Sequence, residues 1–141
     1  ANSYLLFGSS ANAIAPRKRP LSSMSPTFVE DGKGVLIIGA PGGSRIISMV
    51  LFGILDYLNQ DEVDVRRLVT APRYHHQCWP DQVEIEPDGF SADWHAALEG
   101  KGHQLKVVAR KWGNMQVVFK SRVDGAAQAA SDPRGFDMGG Y

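Results

Sequence analysis

The sequence predicts an α+β fold with mainly antiparallel sheets. Three observations carry this: a tight hairpin opens the patterned region, helices and a lone strand fill the middle, and strands follow one another directly at the end. The chain has 141 residues, 43% of them hydrophobic, enough for one packed core and hence for one domain spanning 1–141. Fifteen Lys and Arg balance fifteen Asp and Glu, with four His beside them, so no basic footprint for nucleic acid or an anionic membrane is present. The longest apolar run, from Ile46 to Leu55, is broken by Ser48 and Gly53 and falls short of the roughly 20 residues a membrane span needs. The single cysteine, Cys78, excludes an internal disulfide and a multi-cysteine zinc site.

Residues 1–26, with three prolines and the cluster Arg17-Lys18-Arg19, show no period of two or 3.6 and read as an extended lead-in. The start at Ala1 has neither an initiator Met nor a secretory signal, so a processed or truncated product is expected. Thr27–Glu30, Asp31-Gly32-Lys33-Gly34 and Val35–Gly39 read as strand, turn and strand, with Asp-Gly supplying the positive φ of a short hairpin. The second strand is apolar on both faces and expects cover on both.

After Ala40-Pro41-Gly42-Gly43-Ser44, residues 45–58 predict a helix capped by Ser44, apolar nearly all round and so buried on most of its circumference. Residues 61–71 predict a shorter neighbouring helix that Pro72 ends. A loop over 73–81, a strand at Val83 to Ile85 and a helix from Ser91 to Gly100 come next. Strands at 105–109 and 115–119, a weaker one at 126–130 and a loop after Asp132 complete the chain. There is no internal repeat and no low-complexity block.

The turn Gly39–Ser44 joins a buried strand to a helix, so unpaired backbone amides point out of a helix N-terminus. Three uses stay open. It can cradle a phosphate, although no lysine follows the glycines and the spacing is not that of a dinucleotide loop; it can steady an oxyanion; or it is a glycine pair for tight packing. Ser22-Ser23, held away from helix by Pro20 and Pro26, suits a carboxylate or is an ordinary serine-rich loop. His75-His76 beside Gln77 and Trp79 fits structural histidines better than a metal, because adjacent side chains diverge and no HExxH pattern or paired Cys supports one. Cys78 has only the His pair as a candidate activator. Asp132-Pro133-Arg134 fits a structural turn, with an ion pair as the alternative. No cofactor-binding or metal motif is read.

Taken together, Lys18-Arg19-Pro20-Leu21-Ser22-Ser23-Met24-Ser25-Pro26-Thr27, Gly39–Ile47, Ala71-Pro72-Arg73-Tyr74-His75-His76-Gln77, Gly89-Phe90-Ser91, Ala130–Arg134 and Gly140-Tyr141 resemble the C-terminal part of the small subunit of γ-glutamyltranspeptidases, from about Ala11 to Tyr141. The match is loosest over 106–127, and Cys78-Trp79 departs from the usual Trp-Leu.

The resemblance implies part of a four-layer αββα N-terminal-nucleophile hydrolase sandwich, formed by a self-cleaving precursor. It implies that Ser22 and Ser23 hold the α-carboxylate of a γ-glutamyl donor and that Gly42 and Gly43 offer amides to the oxyanion. The nucleophile it implies is a threonine at the start of the small subunit; here residue 1 is Ala1, and the only threonines, Thr27 and Thr70, are internal. The expected partners are therefore the large subunit and the front of the small subunit, and the chain alone is expected to be inactive. A periplasmic or extracellular site follows from resemblance alone. The alternatives are a non-catalytic module for a small carboxylate or phosphate, a degenerate structural remnant, or a related acylase with another donor.

Overall fold

A computed structural model describes residues 15–18, 24–77, 79–87, 89–109 and 111–135. Its elements are β1 (Thr27–Glu30), β2 (Gly34–Gly39), α1 (Arg45–Leu58), α2 (Val65–Thr70), β3 (Tyr74–His75), β4 (Val83–Ile85), α3 (Ala92–Glu99), β5 (Leu105–Val107), β6 (Gln116–Ser121) and β7 (Ala127–Ser131). Four strands form an antiparallel sheet in the order β1-β2-β6-β7, and three form a smaller sheet, β3-β4-β5. The antiparallel expectation holds for the larger sheet. In the smaller one β4 and β5 run parallel, joined through α3.

Period-two burial sorts the larger sheet into two faces. Leu36, Ile38, Val117 and Phe119 are buried against α1 and α2 with Met49, Tyr57, Leu68, Val69 and Met115. The opposite face carries a row in direct register, Phe28 beside Ile37, Ile37 beside Val118 and Val118 beside Ala129, with Phe28 69% exposed. Among the described residues, the two-sided hydrophobicity of β2 therefore meets cover on one face only. The same holds for α1: Ile46, Met49, Val50, Gly53 and Tyr57 are buried, while Ile47, Leu51, Leu55 and Leu58 form an exposed stripe, Ile47 at 70%. The expectation that α1 is buried on most of its circumference is corrected, because the described residues pack against only one side of it.

The ends of β2 and α1 are pinned together. Six strand residues rise about 20 Å and fourteen helical ones about 21 Å, so the helix returns along the full strand. At Gly53 the approach is so close that a Cβ would stand 2.3 Å from Ile38 Cδ1. At the hairpin end Lys33 Nζ donates to the carbonyls of Tyr57 and Gln60, both at 2.9 Å, and Tyr57 Oη donates to Asp31 Oδ1 at 2.7 Å. The hairpin turn itself differs from expectation: Gly32 has no positive φ, and Asp31 shapes the turn by accepting from the amides of Lys33 and Gly34.

α2 begins at Val65, later than the predicted 61, because the Asp64 carboxylate accepts from the amides of Arg66 and Arg67 and caps it there. α3 keeps its predicted start, with Ser91 accepting from Trp94 N. Rings hold α3 and α1 to the smaller sheet: Trp94 of α3 meets Tyr74 of β3 at 5.5 Å, and Tyr74 meets Phe52 of α1 at 4.4 Å. β3 lies in the stretch expected to be loop; two residues are too few to show a period.

A buried four-charge network joins these parts. Arg73 Nη1 donates to Asp132 Oδ2 at 2.6 Å, and Arg134 donates to Glu86 Oε2 at 2.8 Å and Asp132 Oδ1 at 3.2 Å. The two arginines also take the carbonyls that end α2, those of Val69, Thr70 and Ala71. Glu86 accepts from the amides of Arg73 and Trp112, and Asp132 from that of Met115. The Asp132-Pro133-Arg134 turn is thus both the expected turn and the alternative ion pair. Burial pushes the Asp132 carboxyl up, but the amides of Arg134 and Met115 and the Arg73 guanidinium outweigh it and hold the group below the usual carboxylate range.

Removing one partner strands a buried charge, so Arg73→Met is expected to cost about 3–5 kcal/mol, whereas Arg122→Ala, whose pairing with Glu30 is exposed, costs under about 1 kcal/mol. Because the folded Asp132 is the stronger acid, its contribution is complete above the unfolded value of about pH 4 and is lost as pH falls through the lowered folded one. Acid unfolding followed by circular dichroism checks this; an Asp132→Asn variant with an unchanged acid midpoint would contradict it.

Candidate active site

The buried strand β2 ends at Gly39, and the chain reaches α1 through Ala40, Pro41, Gly42, Gly43 and Ser44. Gly42 has φ +144° and Gly43 φ +60°, a region that L side chains rarely enter, so the glycine pair is what lets a strand reverse into a helix within five residues. Arg45 N donates to Gly42 O and Ile46 N to Gly43 O, both at 3.2 Å, which starts the helix on the glycines themselves. Ser44 is already helical, at φ −61° and ψ −23°, and its side chain caps nothing. The expected cap is therefore corrected: a helical Ser44 does not aim its hydroxyl at the first-turn amides, and the hydroxyl donates to Gln77 Oε1 at 2.8 Å. Among the described residues no acceptor engages the amides of Gly42 and Gly43, which lie at the positive end of a fourteen-residue helix.

Ser22 and Ser23 lie outside the described residues, as does Cys78. The next residue after the serine pair, Met24, is described. It lines a cavity of about 210 Å³ with Pro26, Gly39, Ala40, Pro41 and Gln116. The residue that follows the serines and the two that precede the glycines thus share one wall, at the end of β2 where β1 begins.

The two histidines diverge, as their adjacency requires. His75 is buried: its Nδ1 lies 2.9 Å from Ser48 Oγ and its Nε2 3.3 Å from Gln77 Oε1. His76 is exposed and meets Asp81 at 2.8 Å. Burial lowers the His75 pKa, Arg45 and His76 adding to it against Gln77 and Glu84. Arg45 pairs with Glu84 and lies over the Trp112 ring, 5.0 Å from its centre. Among the described residues no group of three or more metal-ligating side chains converges. Ser48, Glu84 and the hydrogen-bonding role of Gln77 were not singled out from sequence; the signal was the i, i+4 spacing of Ser44 and Ser48, which share one helix face.

With this geometry in hand, comparison with known proteins is specific. A family model described as Gamma-glutamyltranspeptidase matches residues 1–139. Glutathione hydrolase proenzyme of Escherichia coli is 44% identical over 137 residues, 96% of this chain and 23% of that protein. The Pseudomonas aeruginosa enzyme of the same name is 40% identical over 149 residues, 99% of this chain and 25% of that protein. This chain therefore spans about a quarter of the length of these relatives. In three dimensions it matches a mutant γ-glutamyltranspeptidase from Helicobacter pylori with TM-score 0.77 and 38% identity, over 91% of this chain and 69% of that one.

A side chain at either glycine works against the turn. Gly43→Ala is expected to cost about 1–2 kcal/mol for its left-handed φ. Gly42→Ala costs more, since its Cβ would also stand 2.9 Å from Met49 Cε. Denaturant unfolding checks the order; two variants as stable as the parent would show that the turn does not need glycine.

Proposed function

The chain belongs to the γ-glutamyltranspeptidase family, and from that premise we propose that it serves γ-glutamyl transfer or hydrolysis, on glutathione and other γ-glutamyl amides. It supplies the receiving part of the site, and the nucleophile comes from other polypeptide. Gly42 and Gly43 direct their amides at the oxygen that becomes negative when a threonine hydroxyl adds to the γ-carbonyl. Collapse of that adduct breaks the amide C–N bond, the amine leaves with a proton, and the γ-glutamyl-threonyl ester passes to water or an amino acid. Ser22 and Ser23 grip the donor's α-carboxylate.

The observation that carries this reading is the cavity wall shared by Met24, Ala40 and Pro41. Met24 is the residue after the serine pair in sequence, and Ala40 and Pro41 are the two before the glycine pair. Two amides at a helix N-terminus that no acceptor among the described residues engages favour a developing anion. The exposed rows on the sheet and along α1 are where the companion polypeptide packs, namely the large subunit and the front of the small one. No described helix is long and apolar enough to cross a membrane. On the family resemblance, and not on that absence, we place the assembled enzyme in the periplasm or outside the cell.

The test is a chromogenic γ-glutamyl anilide. The isolated chain should release no anilide. In the assembled enzyme Gly43→Ala, which keeps the amide N–H but strains the backbone that aims it, should lower kcat by about a hundredfold, while Ser22→Ala should raise KM by roughly tenfold, the worth of one hydrogen bond to a charged group. Turnover by the isolated chain at the assembled enzyme's rate would overturn the division of labour.

A further inference from the structure

We propose that Gln77 is a positioning residue for the Gly42–Gly43 turn, its Oε1 drawing the hydroxyl of Ser44 and the ring N–H of His75 to one point and so tying the first turn of α1 to the segment after β3. This rests on the reading of the glycines given above. Four side chains form a chain whose directions follow from their chemistry. Gln77 Oε1 can only accept, so His75 carries its proton on Nε2 and donates it there. Nδ1 is then a lone pair and accepts from the Ser48 hydroxyl at 2.9 Å. Ser44 closes the chain from the other side at 2.8 Å, and Gln77 Nε2 donates to Trp79 O at 3.4 Å, which fixes the amide's orientation.

The turn needs such a brace. Two glycines in succession leave the backbone at its least constrained, and among the described residues their carbonyls are held by two 3.2 Å backbone bonds from Arg45 and Ile46. Ser44 is bonded directly to Gly43 and spends its hydroxyl on Gln77 in place of a helix cap. A displacement of about 1 Å in a group that meets the reacting atoms costs about a hundredfold in rate. The charges around His75 suit the neutral ring: Arg45 on α1 and the neighbouring His76 oppose a proton, with Glu84 on β4 favouring one, and burial adds to the first side.

The experiment compares Gln77→Met, which keeps length and loses the acceptor, with Gln77→Glu, which keeps an acceptor oxygen, in the assembled enzyme and on the γ-glutamyl anilide. Gln77→Met should lower kcat by about tenfold to a hundredfold with KM within about twofold. Gln77→Glu should recover most of kcat, and its acidic limb should move to higher pH, because a carboxylate beside Nε2 holds a proton on His75 and turns Nδ1 from acceptor into donor. Ser44→Ala, which removes one bond and no bulk, should lower kcat in the same direction and carries the test should Gln77→Met fail to fold. An unchanged kcat in Gln77→Met or Ser44→Ala, while Gly43→Ala is impaired, overturns the brace and leaves the oxyanion reading standing. An unimpaired Gly43→Ala overturns both, and equal losses in Gln77→Met and Gln77→Glu show packing without positioning.

Discussion

The position of one sheet relative to the other depends on the buried charges of Arg73, Glu86, Asp132 and Arg134. Asp132 follows β7 of the larger sheet, Arg73 opens the smaller one at β3, Glu86 follows β4, and both arginines close the end of α2. Two positive and two negative groups sum to zero, and amides of Arg73, Trp112, Met115 and Arg134 take up the remaining carboxylate capacity. Buried ions add stability only when they are fully paired and hydrogen-bonded, so the network acts chiefly by setting geometry. Tyr74, His75 and Gln77, which follow Arg73, meet Phe52 and Ser48 of α1 and Ser44 at its start.

From there the site is built in two short steps. β2 lies between β1 and β6, which fixes its direction, and the glycine pair turns the chain back so that α1 runs the strand's whole length. Lys33 and Asp31 fasten the far end of that helix, while Ser48 and Arg45 fasten the near end to His75 and Glu84 of the smaller sheet and Ser44 fastens it to Gln77 just after β3. The helix N-terminus is thus held from both sheets. The apolar rows left uncovered on the larger sheet and on α1 suit a chain that spans about a quarter of its relatives' length.

Much of this was legible from residue patterns. α1 starts and ends where its apolar spacing predicted, Ser91 caps α3 as expected, and the family strings pointed to a γ-glutamyltranspeptidase, whose fold, part of an N-terminal-nucleophile hydrolase, this chain shares. What escaped was set by side chains competing for the same groups. Asp64 claimed the α2 start from Asp61, Asp31 shaped a turn credited to Gly32, and Gln77 took a hydroxyl that the helix end would otherwise have used. Burial of α1 was overread because periodicity reports hydrophobicity, not the presence of a neighbour. Of the candidate site, the glycine turn was readable from composition, while the serine pair lies outside the described residues.

We propose that one end of the β1–β2 pair receives both the acid group and the transient negative oxygen of a γ-glutamyl donor. A crystal structure of the assembled enzyme carrying a γ-glutamyl phosphonate on its nucleophile tests it most directly. A phosphonyl oxygen should lie about 2.7–3.1 Å from the Gly42 and Gly43 amides, with the glutamyl α-carboxylate on the hydroxyls of Ser22 and Ser23. A phosphonyl oxygen bound by other donors, with the glycine amides facing solvent, would contradict it.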